Sequence, residues 1–426
     1  MDIALILFAK IFSFLSKMFN LGNGSTWPGH IALSLKPSLI NDILTKSQTQ
    51  TIIVVGTNGK TTTTKLLETI LKSNGKNVLL NSSGANLLNG IASSLLLNSS
   101  IAGKLSCDFA ILELDENAFP KLIENLDPNY IVALNLFRDQ LDRYGEINTI
   151  AKHWKTSMQK LSKAKLILNA DDPQIAYLGK DTKLDTSYFG LNERFVETKT
   201  MPHAADSILC PNCGQALNFK GYYFSHLGIW ECPDCKFRRP SNVFSSFSDY
   251  PLQGTYAKYD ILAAVLTARE IGINDKQIVA ALKEFKPAFG RQEEIVYKDK
   301  HVQLFLAKNP ISFNQSLSTV KDLGAKTLLI ILNDKIPDGL DVSWIWDVDF
   351  EQILDKNVNI IVSGLRAYDM AVRLKYAGFF VHIAQEIDEA INLSLQSLEK
   401  NEKLYILPNY SAMLTARKIL TGKKIL

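Results

Sequence analysis

Long apolar runs are missing from this chain. The stretch that comes nearest, MDIALILFAKIFSFLSKMF (residues 1–19), is broken by Asp2, Lys10 and Lys17. It falls short of the ~20 apolar residues that span a bilayer. It also lacks a charged segment ahead of its apolar run and a small-residue cleavage site behind it, so it is not read as a secretion signal. A helix packed on the first domain is expected, with a helix lying at a membrane surface as the alternative. Charge imbalance is missing too. The 47 Lys and Arg against 43 Asp and Glu leave +4, which gives no electrostatic ground for a nucleic-acid partner. Cysteine is scarce, at five in 426 residues. A secreted disulfide framework is excluded and a cytoplasmic protein is expected. No internal repeat or low-complexity tract is visible.

What the chain does have is 46% apolar residues, enough for several cores and, at ~100–200 residues per domain, two to four domains. Apolar runs recur at TIIVV (51–55), FAILEL (109–114), YIVALNL (130–136) and LILNA (166–170), with helical stretches between them. Alternation of this kind, with strands apolar throughout, means a parallel sheet covered on both faces. A second series, TLLIIL (327–332), VNIIVSG (358–364) and KLYILPN (403–409), forms a smaller α/β domain. The expected division is an N-terminal helix and Gly-rich loop to residue 40, a central domain over 41–288, and a C-terminal domain over 289–426.

VVGTNGKTTTTK (54–65) sits between the first strand and a helix, the context a phosphate loop requires. Gly56, Thr57, Asn58, Gly59, Lys60, Thr61 and Thr62 form it, as a shortened variant with Val54 where the general pattern has glycine. Backbone N–H groups at a helix start cradle phosphate oxygens, and the helix dipole favours their charge. Lys60 would neutralise the β- and γ-phosphates of a nucleotide, and the Thr61 hydroxyl would face Mg²⁺. Three further strands end in polar loops, which would meet at the same sheet edge. They carry Glu113 as a magnesium ligand with Asp115 and Glu116 nearby, then Asp139, Asp142 and Arg143, then Asn169, Asp171 and Asp172 at a base or ribose. Each loop alone also reads as an ordinary solvated strand end.

Four cysteines, Cys210, Cys213, Cys232 and Cys235, fall in C-x₂-C-x₁₈-C-x₂-C. Two thiolate pairs of this spacing close a tetrahedral Zn²⁺ site with no open position, so the zinc is structural. The knot, at about 200–240, braces an insertion too small to fold on a core of its own. His203 and His226 are expected at the surface, since four thiolates fill the shell.

These motifs in this order resemble the Mur ligases. GTNGKTTT is that family's form of the phosphate loop, Glu113 matches its magnesium glutamate, LNADDP (168–173) its nucleotide strand end, and FGRQEE (289–294) its arginine motif, which makes Arg291 an ATP contact. Asp139–Gln140 stands where amino-acid-adding members carry Asp-His, and no carbamylated-lysine motif is seen. Nor does a phosphate loop starting at residue 56 leave room for their larger N-terminal domain. GTYAKYD (254–260) puts Ala257 and Asp260 where asparagines are expected. The departures fit the family's amidating branch, which shares the apolar N-terminal helix, Pro28–Gly29, FRDQLDRYGE (137–146), the four-cysteine ribbon, and AKNPISFNQSL (307–317) with DGLDVSWIWDVDFE (338–351).

The resemblance implies a fold, an α/β Mur ligase-like P-loop domain with an inserted Cys₄ ribbon and a C-terminal α/β domain. It also implies a reaction. ATP, with Mg²⁺, would activate the α-carboxylate of D-glutamate in the stem peptide of lipid II as an acyl phosphate. Ammonia from a GatD-like glutaminase partner would then form the amide. The partner would supply Cys and His, and Asp341 of this chain the acid, with Asp338 and Asp347 as rivals. Without the resemblance, Asp341 reads as a helix cap. Two other functions stay open: a ligase that adds an amino acid, and a zinc-ribbon scaffold that keeps a nucleotide fold without catalysis.

Overall fold

The computed structural model describes residues 2–18, 26–81, 85–138, 147–201 and 205–423. Strands β1 (Gln50–Val55), β2 (Val78–Leu80), β3 (Phe109–Leu114), β4 (Tyr130–Ala133), β5 (Lys165–Asn169) and β6 (Thr186–Phe189) come first. The chain then leaves for a hairpin, β7 (Asn218–Phe224) and β8 (Leu227–Glu231), and returns as β9 (Val243–Phe244). The main sheet runs β2-β3-β1-β4-β5-β6-β9, all parallel.

Alternate residues of each strand feed opposite cores. Ile53 and Val55 pack with Leu5, Ile6, Leu39, Ile91 and Trp154 on one face. Ile52 and Val54 pack with Leu66, Ile70, Leu262 and Val265 on the other. That is why the strands read as unbroken apolar runs. Strand order reverses between β1 and β4, which opens a crevice at the carboxyl ends of both.

Residues 26–30 were expected in a loop, but Trp27–Leu35 is a helix. Pro28 stands in its first turn, where its fixed φ and missing N–H suit helix entry. Gly29 lets this helix press on Leu88–Asn98. A Cβ there would lie 1.9 Å from the Asn89 carbonyl oxygen, and the Gly29 N–H donates to Ser93 Oγ at 2.7 Å.

Beyond the central sheet, β10 (Arg291–Tyr297), β11 (Lys300–Phe305), β12 (Thr327–Ile331), β13 (Asn359–Ser363), β14 (Val381–Ile383) and β15 (Lys403–Pro408) form a second sheet. Its order is β10-β11-β15-β12-β13-β14, parallel except for the β10–β11 hairpin. Two further cores cover its faces. Among the described residues no helix is long and apolar enough to cross a membrane.

Candidate active site

The segment after β1 turns sharply into helix Lys60–Ser73. Gly59 has φ +88°, and a Cβ there would lie 2.1 Å from Asp260 Oδ1, so only glycine fits. Asn135, just past β4, fixes the loop from across the switch point. Its Oδ1 accepts from Asn58 N at 2.8 Å, its Nδ2 donates to Asn58 O at 3.1 Å, and its carbonyl accepts from Thr57 N at 3.0 Å. Lys60 Nζ folds back onto the carbonyls of Gly56 and Thr57 and lies 3.7 Å from Glu116. Thr61 Oγ1 donates to Glu113 Oε2 at 2.9 Å. Asn81 holds the Glu113 backbone at both its N–H and its carbonyl, at 2.8 and 3.0 Å. A hydroxyl and a carboxylate converging at the end of a phosphate loop are an all-oxygen donor set, which fits Mg²⁺. Thr62 is buried in the first turn of the helix and lines the same space.

Arg291 arrives from the other domain. It opens β10 at a register shift, with Gly290 at φ +72° and Gln292 at φ +59°. Such a bulge re-aims a side chain. Gln292 pins it to the central domain, accepting from Gln253 N at 2.9 Å and donating to Gln253 O and Tyr256 OH at 2.7 Å each. Arg291 faces Glu113 and Asp260; burial pulls its guanidinium down, and both carboxylates oppose that. Asn309 of the C-terminal domain donates to Asn58 Oδ1 at 3.3 Å. Between the two domains lies a cleft of about 620 Å³ that Lys60, Thr61, Glu113, Asp260 and Arg291 all line.

Asp260 is buried, and its Oδ2 has no hydrogen-bond partner. Burial raises its carboxyl well above the ordinary carboxylate range, against the pull of Arg291. The native state therefore holds a proton that the unfolded chain releases near pH 3.9. Stability falls as pH rises from there toward the folded value, at a limiting ~1.4 kcal/mol per pH unit. Asp260→Asn is expected to raise the melting temperature at pH 7, with the gain shrinking to nothing near pH 4. Thermal melts of both proteins across pH 4–8 read this directly.

The third strand-end loop behaves otherwise. Asn169, Asp171 and Asp172 are fully buried and do not line the cleft. Asn169 donates to Leu134 O at 2.8 Å. Asp171 accepts from Arg239 Nε, Leu191 N and Tyr259 OH at 2.6–2.7 Å. Asp172 caps helix Pro173–Leu178 and accepts from Leu136 N at 2.8 Å. These side chains lock β4, β5, the ribbon and helix Thr255–Glu270 together. Their side chains bond within the protein rather than along the cleft. Asp139, Gln140, Asp142 and Arg143 lie outside the described residues, as does His203.

His226 is not at the surface. It tips the β7–β8 hairpin and is fully buried, 3.5 Å from Asp172 and ring to ring with Phe137 at 5.0 Å. A two-strand ribbon cannot cover its own tip, so the tip is covered by the central domain. At the ribbon's other end the four cysteine Sγ atoms lie within 4.8 Å of one another, with Cys210–Cys235 at 3.6 Å and Cys213–Cys232 at 3.5 Å. A tetrahedron with Zn–S bonds of ~2.3 Å has edges of about 3.8 Å, so the thiolates fit zinc. Among the described residues the cluster at this end is small: buried Cys210, Leu217, Trp230 and Cys232 against Ala176 of helix Pro173–Leu178, with Phe219, Cys235 and Phe237 partly buried around them.

Asp341 lies outside the cleft and is exposed. Its Oδ1 accepts from Ser343 N at 2.8 Å, which holds the carboxyl below the ordinary range. The residue stands just ahead of the turn Ser343–Asp347, whose N-cap position is Val342, and presents an ionised carboxylate outward. Leu340, next to it in sequence, and Trp346, five residues on, are exposed, and Trp346 packs on Tyr376 at 5.6 Å. Asp338 is instead buried against Ser411. Asn135, Gln292 and Asn309 were not singled out in the sequence. Each had a signal there: Asn135 is a polar residue inside YIVALNL, Gln292 lies in FGRQEE, and Asn309 in AKNPISFNQSL.

Residues 54–212 match the model of the Mur ligase middle domain, and residues 306–413 that of the MurT ligase C-terminal domain. The pseudomurein peptide ligase type C of Methanothermus fervidus superposes with a TM-score of 0.67 at 23% identity, over 90% of this chain and 81% of that one. MurF ligase of Thermotoga maritima, solved in complex with ADP, gives 0.62 at 16% identity, over 90% and 82%. The fold is that of a Mur ligase. Subunit MurT of the glutamine-hydrolyzing lipid II isoglutaminyl synthase of Streptococcus pneumoniae is 34% identical, over 95% of this chain and 94% of its own length. The chain belongs to the MurT family of Mur ligase-like subunits.

Proposed function

We propose that this chain amidates the α-carboxylate of D-glutamate in the stem peptide of lipid II, using ATP and ammonia from a glutaminase subunit. The observation that carries the reading is the two-domain cleft, where Lys60, Thr61 and Glu113 face Arg291 in a MurT-family chain. A carboxylate is a poor electrophile because oxide would have to leave. Transfer of the γ-phosphoryl group gives an acyl phosphate and ADP. Ammonia then attacks the carbonyl carbon, phosphate leaves, and the nitrogen sheds a proton.

The loop N–H groups hold the phosphates. Lys60 turns from the Gly56 and Thr57 carbonyls to the transferring phosphoryl group, and Arg291 adds charge from the opposite wall. Thr61 and Glu113 would hold Mg²⁺, which neutralises phosphate charge when bound. Asp341 serves as a positioning residue, orienting a histidine of the glutaminase and stabilising its imidazolium. The exposed apolar surface beside it, Leu340, Trp346 and Tyr376, suits a docked subunit. A lipid-carried substrate places the work at the inner face of a membrane. With a glutaminase partner, glutamine and lipid II, one ADP and one amide are expected per turnover. Incorporation of an added amino acid would overturn the reading.

The four cysteines bind one Zn²⁺ and hold the ribbon shut. Cys210→Ser should lower both zinc content and melting temperature, with activity lost as a consequence of unfolding. Metal analysis and a thermal melt check this, and a variant unchanged in both would contradict it.

A further inference from the structure

Helix Asp2–Met18 has two apolar faces. Leu5, Ile6, Ala9 and Ser13 are buried on one, against helices Trp27–Leu35 and Leu88–Asn98. Ile3, Leu7, Ile11 and Phe14 are exposed on the other, with Phe8 and Leu15 beside them. Positions 3, 7, 11 and 14 share one side of a helix, so the six side chains make a continuous stripe. Among the described side chains of the helix no carboxylate interrupts it. Exposed Trp27 and Ile101 belong to the two segments packed alongside. The partly exposed Lys10 sits at the margin of the stripe, and exposed Lys104 ends the turn that abuts Ile6.

Burying only one face would suffice to dock this helix on the domain, so the second face calls for its own occupant. A second copy fits poorly. A helix of 17 residues is about 25 Å long and ~10 Å wide, a footprint on the order of 250 Å². A stable protein interface needs about 800 Å² from each partner. Two-fold pairing along the stripe would also bring lysines together. A lipid surface needs no such area, and basic residues at the edge of an apolar face suit anionic headgroups.

We propose that this face seats the protein on an anionic bilayer, with the helix lying flat and Ile3, Leu7, Phe8, Ile11, Phe14 and Leu15 entering the headgroup boundary. The orientation has a consequence for the cleft. Helix Leu88–Asn98 packs directly on the docking helix, and Asn86 and Leu87 at its start line the cleft. Its 11 residues span about 16 Å, so the cleft opens one short helix away from the membrane plane. A stem peptide on a lipid carrier could reach it from there. The choice of a bilayer rests in part on the lipid II substrate proposed above.

The test separates the two. The full chain in complex with its partner is sedimented with vesicles of phosphatidylglycerol and phosphatidylcholine, or of phosphatidylcholine alone, without substrate or nucleotide. Binding to the anionic vesicles is expected, weakened by salt. The double variant I11S/F14S should bind about tenfold more weakly or less still, with an unchanged melting temperature. On vesicle-borne lipid II it should lose kcat/KM, while on a stem peptide without the lipid it should match the parent. Parent protein that ignores the vesicles, or a double variant that binds them equally, overturns the proposal. So does a concentration-dependent dimer in sedimentation velocity that the double variant abolishes, since the occupant would then be a second copy. Vesicle binding without amidation would leave the docking face standing and remove the proposed reaction.

Discussion

Lys60→Ala is expected to cut amide formation by about 10²–10³-fold, whether glutamine or an ammonium salt supplies the nitrogen. The lysine lies on the phosphate loop, buried, with its ammonium held by two loop carbonyls and 3.7 Å from Glu116. Nothing else on the loop carries a full positive charge; the other described cations that line the cleft, Arg291 and Lys308, come from across the domain boundary. Removing Lys60 leaves charge on the transferring phosphoryl group without its nearest neutralising partner. Its contacts are to backbone carbonyls of its own loop, so the fold should persist, and a thermal melt checks that. The effect falls on ATP use, so it does not depend on the nitrogen source. A Lys60→Ala protein with parental activity would leave the ribbon scaffold as the better reading.

Asp341→Asn should behave in the opposite way. Glutamine-driven amidation is expected to drop by about 10³–10⁴-fold, the scale seen when a triad carboxylate becomes an amide. Ammonium-driven amidation should stay at the parental rate, because Asp341 lies outside the cleft, the proposed place of carboxylate activation. The Ser343 N–H bond that keeps the carboxylate ionised can be kept by the asparagine oxygen, so the local turn survives the change. Equal loss with both nitrogen sources would place Asp341 in folding rather than in the glutaminase. Asp338→Asn is no substitute for this experiment, since Asp338 is buried against Ser411 and its loss would disturb the last helix of the domain.

The sheet and the phosphate loop were legible because their signals are local. TIIVV, FAILEL and LILNA are apolar on both alternations, which only a doubly covered strand needs, and a GK-Thr after such a strand has few other uses. Cys₄ spacing is equally local. Direction was not legible. LNADDP announces a strand end, but the sequence does not say whether its side chains look outward to a ligand or inward to Arg239, Tyr259 and a helix start. Likewise His226 looked like a surface residue because a hairpin tip usually is one. Its burial depends on the ribbon leaning on Phe137 and Asp172. Arg291 reaches the cleft through a bulge at Gln292, and Asp260 meets Gly59 across 201 positions of chain. Contacts of that range are set by packing, which no spacing rule encodes.

The central claim is that nitrogen from glutamine ends in an amide made at the expense of ATP. Amide-¹⁵N glutamine, ATP, Mg²⁺, lipid II and the complex of this chain with a glutaminase test it in one mixture. The label is expected in the α-carboxamide of the D-glutamyl residue, in an amount equal to the ADP released. ADP release with no ¹⁵N at that position would contradict the account.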